Sequence, residues 1–285
     1  MRRAYPSLIP RRYRARERGR EETGTSPIAR WATENPKPRR TRELVTRGAP
    51  VPVRSPDERE LRRLRIGFFE QDSSTPVTPE TRAAVRKAAS ALKDWGLQVE
   101  PFLPDGLERA RELWWNFFGR AGELVLGPSV AARESDLSPI LKDFLRDVRS
   151  GPPLTRDELM GSMLERDDLR YRFLRQMERY PILLTPVCSV PAFLHGEREW
   201  LVEGQKVGYW QAMSYTQCFN LLGNPAAVVP VGTSPENLPI GVQIVGRPFE
   251  DEIVLAVARI IEAACLKKSP LSKSPPPSRA ATDIS

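Results

Sequence analysis

Few side chains in this chain are spaced for chemistry. Ser90-Ala91-Leu92-Lys93 places a hydroxyl three residues before an amine, a spacing that allows a lysine to take a serine proton. The SDN and KTG companions of that arrangement are absent, and the four residues fall inside an amphipathic helical pattern. Cys188 and the single histidine, His195, are seven residues apart and invite a thiol–imidazole reading, which would still need a third, orienting group. One histidine does not make a metal site, and no carboxylate cluster of ligand spacing accompanies it. Neither a metal nor a cofactor is called for, and no residue is assigned as catalytic. Trp210, Met213 and Gln217 recur at three and four residues, so on a helix they share one mostly apolar face.

The elements that would position these residues follow an α/β order. Arg65–Glu70 suits a short buried strand. Thr78 then stands at an N-cap position, with Pro79 opening a helix whose face is Val85, Ala88, Leu92 and Trp95, and Gly96 stopping it. Leu97–Phe102 reads as the next strand. Leu107–Tyr180 is helix-rich, with breaks at Gly127-Pro128 and Gly151-Pro152-Pro153, and its aromatic group Trp114, Trp115, Phe117 and Phe118 reads as core. A fully apolar strand follows at Pro181–Val187, then a helix over Gly208–Leu222 and strands at Ala226–Val231 and Pro239–Val245. A last helix from Asp251 carries the stripe Ile253, Val254, Val257, Ile260, Ile261 and Ala264. Asn220, Gly223, Asn224 and Pro225 mark a helix end, Gly223 and Asn224 tolerating positive φ.

Charge divides the chain of 285 residues. Residues 1–65 hold 19 Lys and Arg against 8 Asp and Glu, and the remainder is slightly acidic. The expectation is a disordered Arg/Pro-rich head over 1–63, a folded region over 64–266, and a Pro/Ser-rich disordered tail over 267–285. The head has little aromatic interleaving and no binding module after it, so nucleic acid is not expected as a partner. No run is long enough for a membrane span or a signal core, which makes a cytoplasmic protein the default. Cys188, Cys218 and Cys265 are odd in number, widely spaced and in apolar surroundings, as small buried hydrophobes would be.

Four blocks, RIGFFEQDSSTPVTPETRAAVRKAASALKDWG, YPILLTPVCSVPAF, SYTQCFNLLGNPAAVVPVG and LPIGVQIVGRPFEDEIVLAVARIIEAA, occur in an order that resembles the C-terminal half of the amidase signature family. The resemblance implies a mixed sheet flanked by helices, incomplete in this chain, and hydrolysis of carboxylic amides. It implies as well a Gly/Ser-rich segment carrying the nucleophilic serine, a bridging serine and an upstream lysine. No GGSSGG-like run and no Gly-Xaa-Ser-Xaa-Gly occur in the 285 residues. The chain is therefore expected to be truncated and inactive alone. Its expected partners are an N-terminal amidase half in trans or a second copy in self-association through open strand edges; a binding protein with a basic arm is the alternative. The resemblance also makes Trp210, Met213 and Gln217 a wall of the substrate pocket, with ordinary core packing as the other reading. Met213 stands where the family's transamidation members resemble one another in an acidic residue, which favours a neutral or apolar acyl group over glutamine.

Overall fold

The computed structural model describes residues 55–266. Most of the expected head, and the tail from residue 267, lie outside the described residues. The last part of the head is helical: α1, Glu58–Arg62, is closed by a capping box in which Asp57 and Glu60 satisfy each other's backbone N–H groups.

The first unit is β1 (Arg65–Phe68), α2 (Pro79–Trp95) and β2 (Gln98–Pro101). The two strands pair in parallel, and α2 buries Ala84, Val85, Ala88, Ala89 and Leu92 on one side, the face that its 3.6-residue period dictates. Gly96 ends the helix at φ 101°, where a side chain would be strained. Thr78 occupies the N-cap position, but its hydroxyl meets that of Thr81 at 3.0 Å instead of capping the backbone.

From β2 the chain runs through α3 (Leu107–Trp114), a π-helical stretch Trp115–Ala121, α4 (Gly122–Val130), a 3-10 turn Ala131–Asp136, α5 (Pro139–Arg149) and α6 (Arg156–Met177). The break expected at Gly127-Pro128 falls inside α4, near its end. Thr155 and Glu158 form the capping box of α6, worth about 1 kcal/mol.

β3 (Ile182–Pro186) is buried at all five positions, as a strand covered on both faces must be. After it comes a hairpin that has no counterpart in the expected element order, β4 (Glu199–Val202) and β5 (Gln205–Gly208), paired antiparallel. Its two turn residues, Glu203 at φ 49° and Gly204 at φ 80°, both lie in the left-handed region, the combination a two-residue hairpin turn requires. The expected helix Gly208–Leu222 is two helices, α7 (Tyr209–Ala212) and α8 (Ser214–Leu222), interrupted at Met213 with ψ 0°. β6 (Ala226–Thr233), β7 (Pro239–Gly246) and α9 (Asp251–Leu266) complete the described residues. On α9, Val254, Val257 and Ile261 are buried as expected, whereas Ala264 is exposed and Cys265 takes the last inward position.

The main sheet has the order β2-β1-β3-β7-β6 and is mixed: β2, β1 and β3 run parallel, and β7 is antiparallel to both β3 and β6. The open strand edges expected for self-association therefore do not include Ile182–Val187. β3 sits between β1 and β7, and among the described residues the edges are β2 and β6. One face is covered by α2 and α9 around Ile66, Ile182, Leu184, Val229 and Val242. The other is covered by α3, α6 and α8 around Phe69, Leu113, Phe173, Leu183 and Phe219. A small third core joins Val190, Val202, Val207 and Ala212 under the hairpin.

Candidate functional site

The connection out of β1 enters α2 on one face of the sheet, and the connection out of β2 enters α3 on the other. A crevice opens between neighbouring strands whose exits diverge in this way. A cavity of about 480 Å³ lies there, lined by Phe68, Phe69, Glu70, Gln71, Arg82, Pro101, Phe102 and Leu103. Its charged groups are already engaged: Arg86 pairs with Glu70, and Arg82 pairs with Glu203 and bonds Gln71 Oε1 at 3.0 Å. The hydrogen bond and charge of Glu203 raise the Arg82 guanidinium above its ordinary value.

Behind this crevice a polar network holds the loop between β1 and α2. Asp72 Oδ1 accepts from the Ser74 N–H at 2.9 Å, the Thr75 N–H at 3.0 Å and the Ser74 hydroxyl at 3.1 Å. Its second oxygen pairs with Arg111 of α3, which also donates to Ser74 Oγ. The Tyr215 hydroxyl donates to the Thr75 carbonyl at 2.6 Å and accepts from the Asp72 N–H at 3.2 Å. Thr75 Oγ1 and Ser214 Oγ are 3.4 Å apart. Burial lowers the Arg111 guanidinium and raises the Tyr215 phenol, so the phenol stays a neutral donor. None of these residues stood out in the sequence. Gln-Asp-Ser-Ser-Thr announces an Asx-type turn, but nothing local points to Arg111 or Tyr215 as its partners.

The helix expected to carry the three pocket residues is interrupted at Met213, between Trp210 and Gln217. Gln217 is buried, and its Nε2 donates to the Trp210 carbonyl at 3.1 Å, capping the acceptor that an unbroken helix would have paired with its own backbone. Met213 is half-buried against the hairpin core. Trp210 stands in a run of rings: Trp115–Phe144 at 5.6 Å, Phe144–Trp210 at 4.9 Å, Trp210–Tyr209 at 5.2 Å, Tyr209–Phe193 at 6.2 Å and Phe193–Trp200 at 4.7 Å. Trp114 and Phe118 extend it beyond Trp115. The expectation that Trp114, Trp115, Phe117 and Phe118 are core is corrected in part. Trp114 and Phe117 pack on the second core, but Phe118 is 47% exposed and none of the four is fully buried.

The nucleophile candidates are not activated. Ser90 and Lys93 lie on the exposed side of α2. Cys188 packs against the hairpin core, where desolvation raises its thiol, while His195 is exposed. Cys218 is buried, and desolvation pushes its thiol up to about 12. Cys265 is buried as well. Among the described residues no group of three or more His, Cys, Asp or Glu is placed to hold a metal ion, and no helix is long and apolar enough to cross a membrane.

The family model for Amidase matches residues 32–255. The chain belongs to the amidase family. The match starts well before Leu64, inside the segment read as a separate head and in residues outside those described. The amidase chain is 28% identical over 224 residues to a glutamyl-tRNA(Gln) amidotransferase subunit of Acidobacterium capsulatum, covering 71% of this chain and 46% of that one. It is 27% identical over 245 residues to the fatty acid amide hydrolase of Oryza sativa subsp. indica, covering 79% and 38%. A solved amidase superposes with a TM-score of 0.58 at 24% identity over 70% of this chain and 45% of that one, a likeness of fold. The chain thus spans less than half the length of each of these relatives.

Proposed function

We propose that this amidase-family chain forms the acyl-binding side of a site for neutral or apolar carboxylic amides, and that it does not cleave the C–N bond alone. The observation that carries the reading is the aromatic run centred on Trp210, with the Met213 thioether one helical turn further on. Such a surface favours an apolar acyl group and offers no charge to hold an amino acid. A fatty acid amide hydrolase among the relatives is in keeping with it.

Amide hydrolysis by a serine route adds the hydroxyl oxygen to the carbonyl carbon while a base takes the proton, and backbone N–H groups hold the oxyanion. Collapse expels the amine, and water then releases the acid. The sequence holds no Gly/Ser-rich run, and among the described residues burial raises the Cys188 and Cys218 thiols away from the reactive thiolate. The nucleophile would come from an N-terminal amidase half in trans, this chain contributing the wall against which the acyl group rests. Without that half the chain is a pseudoenzyme.

The test uses the purified full chain with an aryl amide of a medium-chain fatty acid, and separately a serine-directed fluorophosphonate. The expected result is binding seen as tryptophan quenching, weakened roughly tenfold by Trp210→Ala, with no hydrolysis above buffer and no labelling. Stoichiometric labelling with turnover would overturn the inactive reading. Equal binding by wild type and Trp210→Ala would overturn the acyl wall.

A further inference from the structure

Helix α9 buries a carboxylate that nothing answers. Glu262 is 4% exposed, and its Oε2 is enclosed without a hydrogen-bond partner among the described residues. Ala258, Ile261 and Cys265 of the same helix are buried around it. Arg259, three residues earlier, does not complete it, since its own Nε is enclosed with no acceptor. A carboxylate taken out of water is strongly disfavoured unless a cation or several donors replace the water.

Cations stand in the sequence just ahead of the described residues. The family match begins at residue 32, and residues 32–54 hold Lys37, Arg39, Arg40, Arg42, Arg47 and Arg54 against Glu34 and Glu43. This segment joins the described residues at Ser55, ahead of α1. There α1 rests on the end of α2, with the Arg62 guanidinium 4.7 Å from the centre of the Trp95 ring and its Nη1 donating to the Trp95 carbonyl at 3.2 Å. α2 and α9 cover the same face of the sheet. Five strands about 4.8 Å apart make that face roughly 20 Å wide. The chain from Arg42 to Ser55, extended at about 3.4 Å per residue, spans roughly 44 Å. It reaches α9 with length to spare.

We infer that residues 32–54 dock against α9, with the Arg39, Arg40 and Arg42 cluster supplying the guanidinium that meets the Glu262 carboxylate. Arginine suits this task because its planar fork gives two parallel N–H groups to one carboxylate. The segment is favoured over a second copy or an amidase half in trans on three grounds: it carries the excess positive charge, it lies within the family match, and its tether at Ser55 holds it at a millimolar effective concentration. Residues 32–54 thereby belong to the folded body. The docking does not depend on how amide chemistry is completed.

The experiment is amide exchange read by mass spectrometry on the full chain alone, in dilute solution. The expected result is protection of peptides within 32–54, lowered about tenfold by Glu262→Gln and likewise by Arg39→Gln, Arg40→Gln and Arg42→Gln made together. The β3 peptide exchanges as before in the arginine variant, which decides the matter if Glu262→Gln loosens the core. Absence of protection in 32–54 of the wild type overturns the inference. Protection that the arginine variant leaves unchanged overturns it too. Protection that appears only as the chain is concentrated, or only when an N-terminal amidase half is added, assigns the carboxylate to a second copy or to that half and overturns it equally.

Discussion

Arg111 and Asp72, 39 residues apart in the chain, form an ion pair in which the side chains are only 13% and 4% exposed. The pair ties the loop after β1 to α3, and through the Asp72 and Thr75 backbone it sets the position of Tyr215 at the start of α8. A buried pair contributes little against a well-packed apolar replacement, but loss of one partner strands a charge. Arg111→Met is therefore expected to cost about 3–5 kcal/mol in urea unfolding. Asp72→Asn combined with Arg111→Met should recover part of that loss, which a double-mutant cycle measures. Additive losses would show that the pair does not act as a unit.

Gln217 holds the helix break together. Gln217→Met removes the donor to the Trp210 carbonyl and should lower stability by about 1–2 kcal/mol. The emission of Trp210 should shift at the same time, since its backbone loses its tether. An unchanged unfolding midpoint would return Gln217 to the pocket wall.

The thiols report burial. With Cys218 pushed up to about 12 by desolvation and Cys188 raised by the same cause, the native chain should react slowly with a thiol reagent near neutral pH. In denaturant all three cysteines should react at the rate of free thiols. Fast native reaction at Cys188 would revive the thiol–imidazole reading of Cys188 and His195.

Acid should loosen the β2 edge through Glu100. Hydrogen bonds from Arg65 and Tyr180 lower its carboxyl below the ordinary 4.5, so it binds protons more readily unfolded than folded. Its contribution is present above about 4.5 and is lost as pH falls through the lower folded value. Glu100→Gln should flatten the acid limb of stability against pH and leave the neutral region with a small, nearly constant offset.

The α/β order, the buried stripe of α2, the stop at Gly96 and the full burial of β3 were legible in the amino-acid sequence, because periods of 3.6 and 2 and the demands of a left-handed residue are local. The family too was legible, from short blocks in a fixed order. Other features depend on residues far apart. Glu203-Gly204 closes a hairpin only once Trp200 and Val202 find Phe193 and Val207 to pack with. The helix expected over Gly208–Leu222 breaks at Met213 because the Gln217 side chain can take the Trp210 carbonyl. Asp72 gains its partner from α3, and which strands are edges follows from the order of pairing across the whole sheet. Sequence period decides which side of an element is apolar; only the packed structure decides what that side meets, because the partners are set by crossovers that no local pattern encodes.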